Sequence, residues 1–430
     1  MVDAHTYTTV KDSGIEWIGD IPDGWNIRTI YQLVERVKCK NSELQENNLL
    51  SLSYGKIKRK DIDSPEGLLP ASFDGYNIIE AGDIVLRLTD LQNDHTSLRV
   101  GLSTERGIIT SAYTTLRSIN ARHSKYLYYM LHAFDLKKGF YGMGSGVRQG
   151  LNYDEVKELR IVLPSDIEQE AITTYLDDNC GQIDSTIEEA KVSLEKYKAW
   201  KASIIYETVT KGLNPIVEMK GSDVQWIGEM PAKWGKTRIK YCATFAPPCD
   251  TSQFCDESIV TFAPMECIKN GYFINREGIF GNINSSYTPF QEGDIVIAKV
   301  TPCFENGNIA IMNGLHNKFG FGSSELFVFR AKTVLPKYLF YCLQNEKLKQ
   351  HACATMTGTG GLKRVSTAFL QNSYICLPGE DEQQAIAEHL DRQCTEIETL
   401  VTEKQALISD LESYKRSLIY ETVTGKRKVL

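Results

Sequence analysis

One stretch of this chain occurs twice without an insertion. Residues 164–210 run from Pro164 through Glu168, Gln169, Ala171, Ile172, Leu176 and Asp177 to Tyr206-Glu207-Thr208-Val209-Thr210. Residues 378–424 repeat it as Pro378, Glu382, Gln383, Ala385, Ile386, Leu390, Asp391 and Tyr420-Glu421-Thr422-Val423-Thr424, always 214 positions later. A gapless repeat of that length predicts a rigid helix whose register cannot slip.

The apolar residues agree with that reading. Ile183, Ile187, Ala190, Leu194, Tyr197 and Ile204 step by alternating four and three, with Lys201 in the remaining place. The second copy gives Ile397, Val401, Lys404, Ile408, Leu411, Lys415 and Leu418. This is the a/d stripe of a coiled coil. Two stripes with a whole domain between them predict an intramolecular antiparallel pair, each helix roughly 65 Å long at 1.5 Å per residue. The plainer alternative is that each stripe packs only on its own domain. Asp177-Asp178-Asn179-Cys180-Gly181 is a candidate kink, and Gly212 and Gly425 are candidate helix ends.

Further repeats flank the helices. Ser13 to Trp25 contains Trp-Ile-Gly-Asp-Ile-Pro-Asp-Gly-Trp, and Ser222 to Trp234 contains Trp-Ile-Gly-Glu-Met-Pro-Ala-Lys-Trp. Each opens a globular unit and reads as a tryptophan-anchored turn on its own domain. Residues 26–75 and 235–287 share little beyond short apolar runs split by turn residues, the pattern of strands. Similarity returns at Gly82-Asp83-Ile84-Val85 and Gly293-Asp294-Ile295-Val296, each a turn entering a buried strand. It continues through Gly107–Arg117 against Gly320–Arg330, then Lys125-Tyr126-Leu127-Tyr128-Tyr129 against Lys337-Tyr338-Leu339-Phe340-Tyr341. Offsets drift by one or two residues between these blocks, as for two copies of one fold with unequal loops. The expected fold is α/β (α+β): two similar domains, residues 1–164 and 213–378, separated by helices over 165–212 and 379–430.

At 430 residues the chain exceeds one ordinary core. No apolar run approaches the ~20 residues of a membrane span, and Met1 to Ser13 lacks a signal-peptide pattern. A cytoplasmic location is expected. The 11 cysteines lie mostly after Cys242, so two equivalent halves cannot share a disulfide framework; reduced, mostly buried thiols are expected. Cys242, Cys249, Cys255 and Cys267 form no CxxC pair that would favour zinc. The net charge of −7 conceals a division. Residues 165–211 hold 10 acidic and 5 basic side chains, and 379–424 hold 11 and 4, leaving 39 basic against 34 acidic elsewhere. Each module's own field, not the sum, governs what it attracts.

Catalytic motifs are missing from the sequence. Ala246-Pro247-Pro248-Cys249 departs at both ends from the adenine methyltransferase signature, and no P-loop occurs. In Asp294…Ile297-Ala298-Lys299, isoleucine stands where a nuclease core needs a carboxylate. Gly142–Gly150, with Arg148 and Gln149, and Gly358–Arg364, with Lys363 and Arg364, follow helical segments and precede strands. That order is the reverse of a dinucleotide loop and suits turns whose backbone approaches a phosphate. Lys56-Ile57-Lys58-Arg59-Lys60 is the densest basic cluster, able to neutralise phosphates or merely to solubilise a loop. Its nearest match in the second half is Lys269-Asn270-Gly271-Tyr272, so the halves would not read the same DNA sequence.

Taken in their paired order, the two openers, the two Gly-Asp-Ile-Val strands and the twin helices resemble the specificity subunit of type I restriction-modification systems. The resemblance covers essentially the whole chain. It implies double-stranded DNA as ligand, with two target-recognition domains each reading one half of a bipartite, asymmetric site. It implies spacer helices that dock two modification (methyltransferase) subunits, with restriction/translocase subunits completing the complex. It implies no catalysis and no cofactor in this chain, S-adenosylmethionine, ATP and Mg belonging to the partners. Side chains suited to DNA contacts are Lys56, Lys58, Arg59, Lys60, Arg87, Arg99, Arg148, Gln149, Arg276, Lys299, Lys363 and Arg364. Two alternatives stay open: a stand-alone two-domain DNA-binding protein of repressor type, and a fused methyltransferase or nuclease.

Overall fold

The computed structural model describes residues 7–62, 72–91, 93–94, 96–143, 150–283, 286–359 and 361–430. They form two compact units: unit 1 combines Met1–Lys191 with Ala406–Leu430, and unit 2 is Val192–Gln405. Both repeated stretches are long helices, Asp166–Lys211 and Glu380–Val423. The first continues through Asp177–Gly181. Gly212 and Gly425 follow the two helices with φ of 78° and 72°, a left-handed conformation that only glycine adopts without strain. No helix among the described residues is long and apolar enough to cross a membrane.

Each unit is built on a four-stranded antiparallel sheet. In unit 1 its order is Val34–Arg36, Thr114–Ser118, Ile84–Leu86, Val100–Leu102; in unit 2 it is Ala243–Phe245, Leu326–Ala331, Ile295–Ala298, Ile309–Ile311. The Gly-Asp-Ile-Val strands are its inner members, and Ile84, Val85, Ile295 and Val296 are fully buried. The preceding aspartates fasten these strands. Asp83 accepts the Glu80 N–H at 2.8 Å and both Nε and Nη2 of Arg117 at 2.7 Å. Asp294 accepts the Gln291 N–H at 2.7 Å and Arg330 at 2.7 and 2.8 Å. A buried carboxylate persists because a guanidinium fork and a backbone amide satisfy it.

The dissimilar segments fold alike as well. In unit 1, Leu50–Ser53 pairs with Lys56–Arg59, and Leu49 forms a parallel bridge with Ile108. In unit 2, Ile259–Ala263 pairs with Glu277–Ile279 on one side and runs parallel to Phe319–Gly322 on the other.

Within each unit the helix segments are gripped by one set of contacts. Trp25 Nε1 donates to Glu168 at 3.3 Å in unit 1, and Trp234 Nε1 donates to Glu382 at 2.7 Å in unit 2. The opener thus packs on its domain and also clasps the start of a helix. The helix Ser124–Leu136 sends Tyr129 Oη to Asp177 at 2.8 Å and Lys125 Nζ to the same carboxylate at 2.6 Å. The helix Pro336–Gln344 sends Tyr341 Oη to Asp391 at 2.7 Å, with Lys337 on the other oxygen. Tyr126 and Tyr338 donate from full burial to the carbonyls of Val162 and Cys376 at 3.0 and 2.9 Å. Gln169 and Gln383 donate to the carbonyls of Pro164 and Pro378 at 2.9 and 3.0 Å. Tyr420 and Tyr206 close each set by donating to the carbonyls of Trp17 and Ile227, both at 3.0 Å. The repeated motif residues are therefore the fastenings between helix and domain.

The heptad residues mark where helix meets helix. In unit 1, Ile183, Ile187 and Ala190 share a core with Ile408 and Leu418, with Leu411 packed at its edge, and Lys415 pairs with Asp184 at 2.6 Å. In unit 2, Ile205 and Ile397 are both buried, and Lys201 pairs with Glu398 at 2.6 Å. Leu194 is buried, while Tyr197 and Val401 are half-buried. Near its C-terminus the buried face widens: Ile204 is only half-buried beside the buried Ile205 and Val209, as Leu418 has Ile419 and Val423. A stripe widens in this way where a helix leaves its partner helix and enters a domain core.

Candidate nucleic-acid interface

The candidate cations fall on two structural features repeated in both units, and their surroundings differ sharply. In unit 2 the strand Ile295–Ala298 runs into Lys299 and a loop sewn to the exposed hairpin Thr357–Thr359/Leu362–Arg364. The Val365 N–H donates to the Lys299 carbonyl at 3.0 Å, and Thr301 Oγ1 donates to the Gly361 carbonyl at 2.9 Å while accepting the Lys363 N–H at 3.0 Å. Lys299, Lys363 and Arg364 are brought together by this seam. Arg364 forks onto Glu325, with Nε and Nη2 contacts of 2.9 and 2.6 Å. Lys299 Nζ donates to the Ser324 carbonyl at 2.6 Å, and burial lowers its pKa. Lys363 is exposed and has no ion pair among the described residues. Arg276 lies apart, 3.2 Å from Glu266 on an exposed edge.

In unit 1 the corresponding loop is organised by Arg99, which is fully buried. Its guanidinium donates to the carbonyls of Arg87, Thr89, Asp90 and Asp94 at 2.6–3.2 Å, and its Nε reaches Tyr141 Oη at 3.0 Å. Arg99 is thus a loop organiser whose donors are occupied, unavailable to a base edge. Arg87, 3.5 Å from Asp94, remains partly exposed beside it. The Leu151 N–H donates to the Leu88 carbonyl at 2.8 Å, so the chain after the glycine segment returns to this loop. Arg148 and Gln149 themselves lie outside the described residues.

The basic cluster occupies the hairpin Leu50–Ser53/Lys56–Arg59. Lys56 is turned to Asp184 of the long helix at 3.3 Å, and Arg59 forks onto Glu105 with Nε contacts of 2.8 Å. Lys58 and Lys60 are exposed and have no ion pair among the described residues. In unit 2 the counterpart loop meets the same helix position through Gly271, whose Cβ site lies 3.6 Å from Glu398 Oε1. The pairing carboxylates Glu105, Glu325 and Asp184 escaped sequence reasoning, because partners 46, 39 and 128 residues away leave no local pattern. A guanidinium preset by a carboxylate is oriented at the surface; an unpaired lysine supplies charge without direction. Chemically, each unit sets exposed lysine charge, Lys58 and Lys60 or Lys363, beside an arginine held by a carboxylate, Arg59 on Glu105 or Arg364 on Glu325, a combination able to meet an anionic backbone.

All eleven cysteines are free thiols, six of them buried. Burial pushes Cys242 up to about 11 and Cys376 to about 12, holding both protonated. Among the described residues no cluster of three His, Cys, Asp or Glu side chains could hold a metal ion.

Comparison with known proteins agrees with this architecture. Residues 242–408 match the family described as the type I restriction modification DNA specificity domain. The chain is 33% identical over 208 residues to the type I restriction enzyme EcoAI specificity subunit of Escherichia coli, a match covering 47% of this chain and 35% of that protein. It therefore spans about a third of that relative's length. To the type I restriction enzyme MjaVIII specificity subunit of Methanocaldococcus jannaschii it is 24% identical over 452 residues, covering 95% of this chain and 94% of the relative. A solved structure concerned with complex assembly and conformational transition of the type I R-M system aligns with a TM-score of 0.65 at 13% identity, covering 95% of this chain and 99% of that one. At that identity the likeness establishes the fold alone. The resemblance carried by the paired motifs holds.

Proposed function

We infer that this chain, which carries the type I restriction-modification specificity domain, is the DNA-specificity subunit of a type I restriction-modification complex. Each globular unit reads one half of a bipartite, asymmetric site. The long helices set the distance between the half-sites and dock two methyltransferase subunits, to which restriction subunits add. The chain itself is non-catalytic and cytoplasmic, and S-adenosylmethionine, ATP and Mg act on the partner subunits.

One observation carries this reading. The helix–domain contacts of Trp25, Tyr126, Tyr129 and Gln169 recur at Trp234, Tyr338, Tyr341 and Gln383, while the exposed cations differ: Lys58 and Lys60 in unit 1, Lys363 in unit 2. A scaffold kept constant under surfaces that vary is what two independent half-sites require. In unit 2, Lys299, Lys363 and Arg364 form the DNA-facing group; in unit 1, Lys58, Lys60 and Arg87 do so, with Arg148 and Gln149 assigned from sequence.

The test is to delete one heptad from each long helix and map N6-methyladenine in cells carrying the partner subunits. A heptad is about 10 Å of helix, or about 3 base pairs at 3.4 Å each. The gap between half-sites is expected to shorten by about that amount with both half-sites unchanged. Altered half-sites at a constant gap would refute the assignment of spacing to the helices.

A further inference from the structure

In unit 2 the hairpin Thr357–Thr359/Leu362–Arg364 buries neither face: every residue of both strands is exposed. Antiparallel pairs ordinarily lay one face on a core. This one is held by an edge instead. Arg364 bridges to Val300, and the Thr301 N–H donates to the Lys363 carbonyl at 3.0 Å. A two-stranded ribbon fixed along one edge and open on both faces has the form that a DNA major groove, about 12 Å wide, admits.

Arg364 stands at the end of this ribbon, and its guanidinium is half committed. The group has two two-pronged edges, Nε with Nη2 and Nη1 with Nη2. Glu325 takes the first, with Nε 2.9 Å from Oε2 and Nη2 2.6 Å from Oε1. Nη1 makes no hydrogen bond among the described residues. The carboxylate is fixed in turn: the Glu325 N–H donates to Ser323 Oγ at 3.2 Å, and its carbonyl accepts the Lys299 N–H at 2.9 Å. The hydrogen bond from Arg364 holds the Glu325 carboxyl below the usual glutamate range, so the fork stays ionised. A pair this open to solvent adds little stability, and it is not part of the repeated scaffold. At the place of Glu325, 213 residues earlier, unit 1 has Ala112, whereas the Asp83–Arg117 and Asp294–Arg330 forks recur.

We propose that the Nη1/Nη2 edge of Arg364 reads a guanine in the half-site of unit 2, with Glu325 as its positioning residue. The inference rests on the DNA-specificity role proposed above and names one of its reading groups. Two parallel donors require two adjacent acceptors. In the major groove guanine presents O6 and N7 side by side, adenine sets a donor beside N7, thymine offers one acceptor and cytosine a donor. A phosphate accepts a fork from many directions and gains little from a guanidinium whose plane is fixed. A base edge accepts it in one plane, and a carboxylate behind the arginine fixes that plane before binding. Lys363, beside it on the ribbon, supplies undirected charge for the backbone.

The experiment maps N6-methyladenine in cells carrying the partner subunits with the wild-type chain, Arg364→Ala, Arg364→Lys or Glu325→Gln. The wild-type motif is expected to hold a guanine, in one half-site, whose preference falls about ten-fold or more in Arg364→Ala. The other half-site, unchanged, serves as the control within the same molecule. Arg364→Lys keeps the charge and should lose the same preference; Glu325→Gln should relax it by about three-fold. Urea midpoints establish that the variants are folded. If Arg364→Ala methylates nothing, binding of the purified chain to duplexes carrying each base at that position decides. A motif unchanged in folded Arg364→Ala, or relaxed at a base other than guanine, would overturn the proposal. So would a uniform loss of affinity with a salt slope smaller by about 1 and no change of motif, the mark of a phosphate contact. A wild-type complex with no split motif would instead overturn the DNA-specificity reading, and this proposal with it.

Discussion

Unit 1 and unit 2 hold their helices with a shared set of side chains, Tyr126, Tyr129 and Gln169 matching Tyr338, Tyr341 and Gln383, and differ in what lies against the inter-helix ion pair. In unit 1, Asp184 joins Lys415 to Lys56, and beside this triad the imidazole of His132 is buried against Tyr128 with Nδ1 unpartnered. In unit 2, Lys201 and Glu398 form a simple pair at the edge of an open cavity. Burial, helped by nearby Lys415 and opposed by Asp184, lowers the His132 pKa to about 4. The same scaffold thus carries a neutral, packed histidine on one side and a solvent-sized space on the other. Contacts that fasten the fold must be repeated, whereas a surface position tolerates whatever its unit needs.

The strongest test of the equivalence is Asp83→Ala against Asp294→Ala. Each leaves a buried strand turn and a guanidinium without their carboxylate. Breaking a buried pair costs about 3–5 kcal/mol, here toward the lower end because the Arg117 and Arg330 side chains are 46% and 33% exposed. Urea unfolding, with hydrogen exchange to assign the loss to its unit, should show comparable destabilisation. A loss confined to one aspartate would break the comparison.

His132 should sharpen it. The group is neutral in the fold and titrates near 6.5 when unfolded, so its stability contribution is complete above that pH. It is lost as pH falls from about 6.5 toward about 4, by up to about 3 kcal/mol. His132→Gln, which installs the unit 2 residue, should remove that acid sensitivity from unit 1, read as urea midpoints at pH 7.5 and 5. An unchanged pH profile would mean that His132 is not the titrating group.

The smallest effect concerns the exposed lysines. If each unit faces DNA as proposed, Lys58→Ala and Lys363→Ala should each reduce the slope of log affinity against log salt by about 1. Stability should not change. A slope altered by only one of the two would leave DNA contact to a single unit at these positions.

Several of these features were visible in the sequence. The gapless offset predicted two helices of fixed register, and the Gly-Asp turns predicted two buried strands; both appear as read. The alternation of Ile183, Ile187 and Ala190 located one helix interface, because a seven-residue rhythm is local information. The role of Lys125, Tyr126 and Tyr129 was not visible: the run reads as a helical stretch, and its grip on Asp177 and Val162 spans 36 to 52 residues. Nor could residues 26–75 and 235–287 be recognised as equivalent. Their strands are paired through backbone amides and carbonyls, which any side chains can accompany.

What the sequence determined alone is therefore the repeated part: two helices, two openers and two inner strands. Periodicity and exact repetition express physical requirements that recur every few residues. The tertiary structure decided which cations are free. Arg99 and Lys363 look equally suited to a nucleic acid as letters in a loop. Folding surrounds the first with carbonyls and leaves the second in water, because a charged group's availability depends on partners gathered from distant parts of the chain.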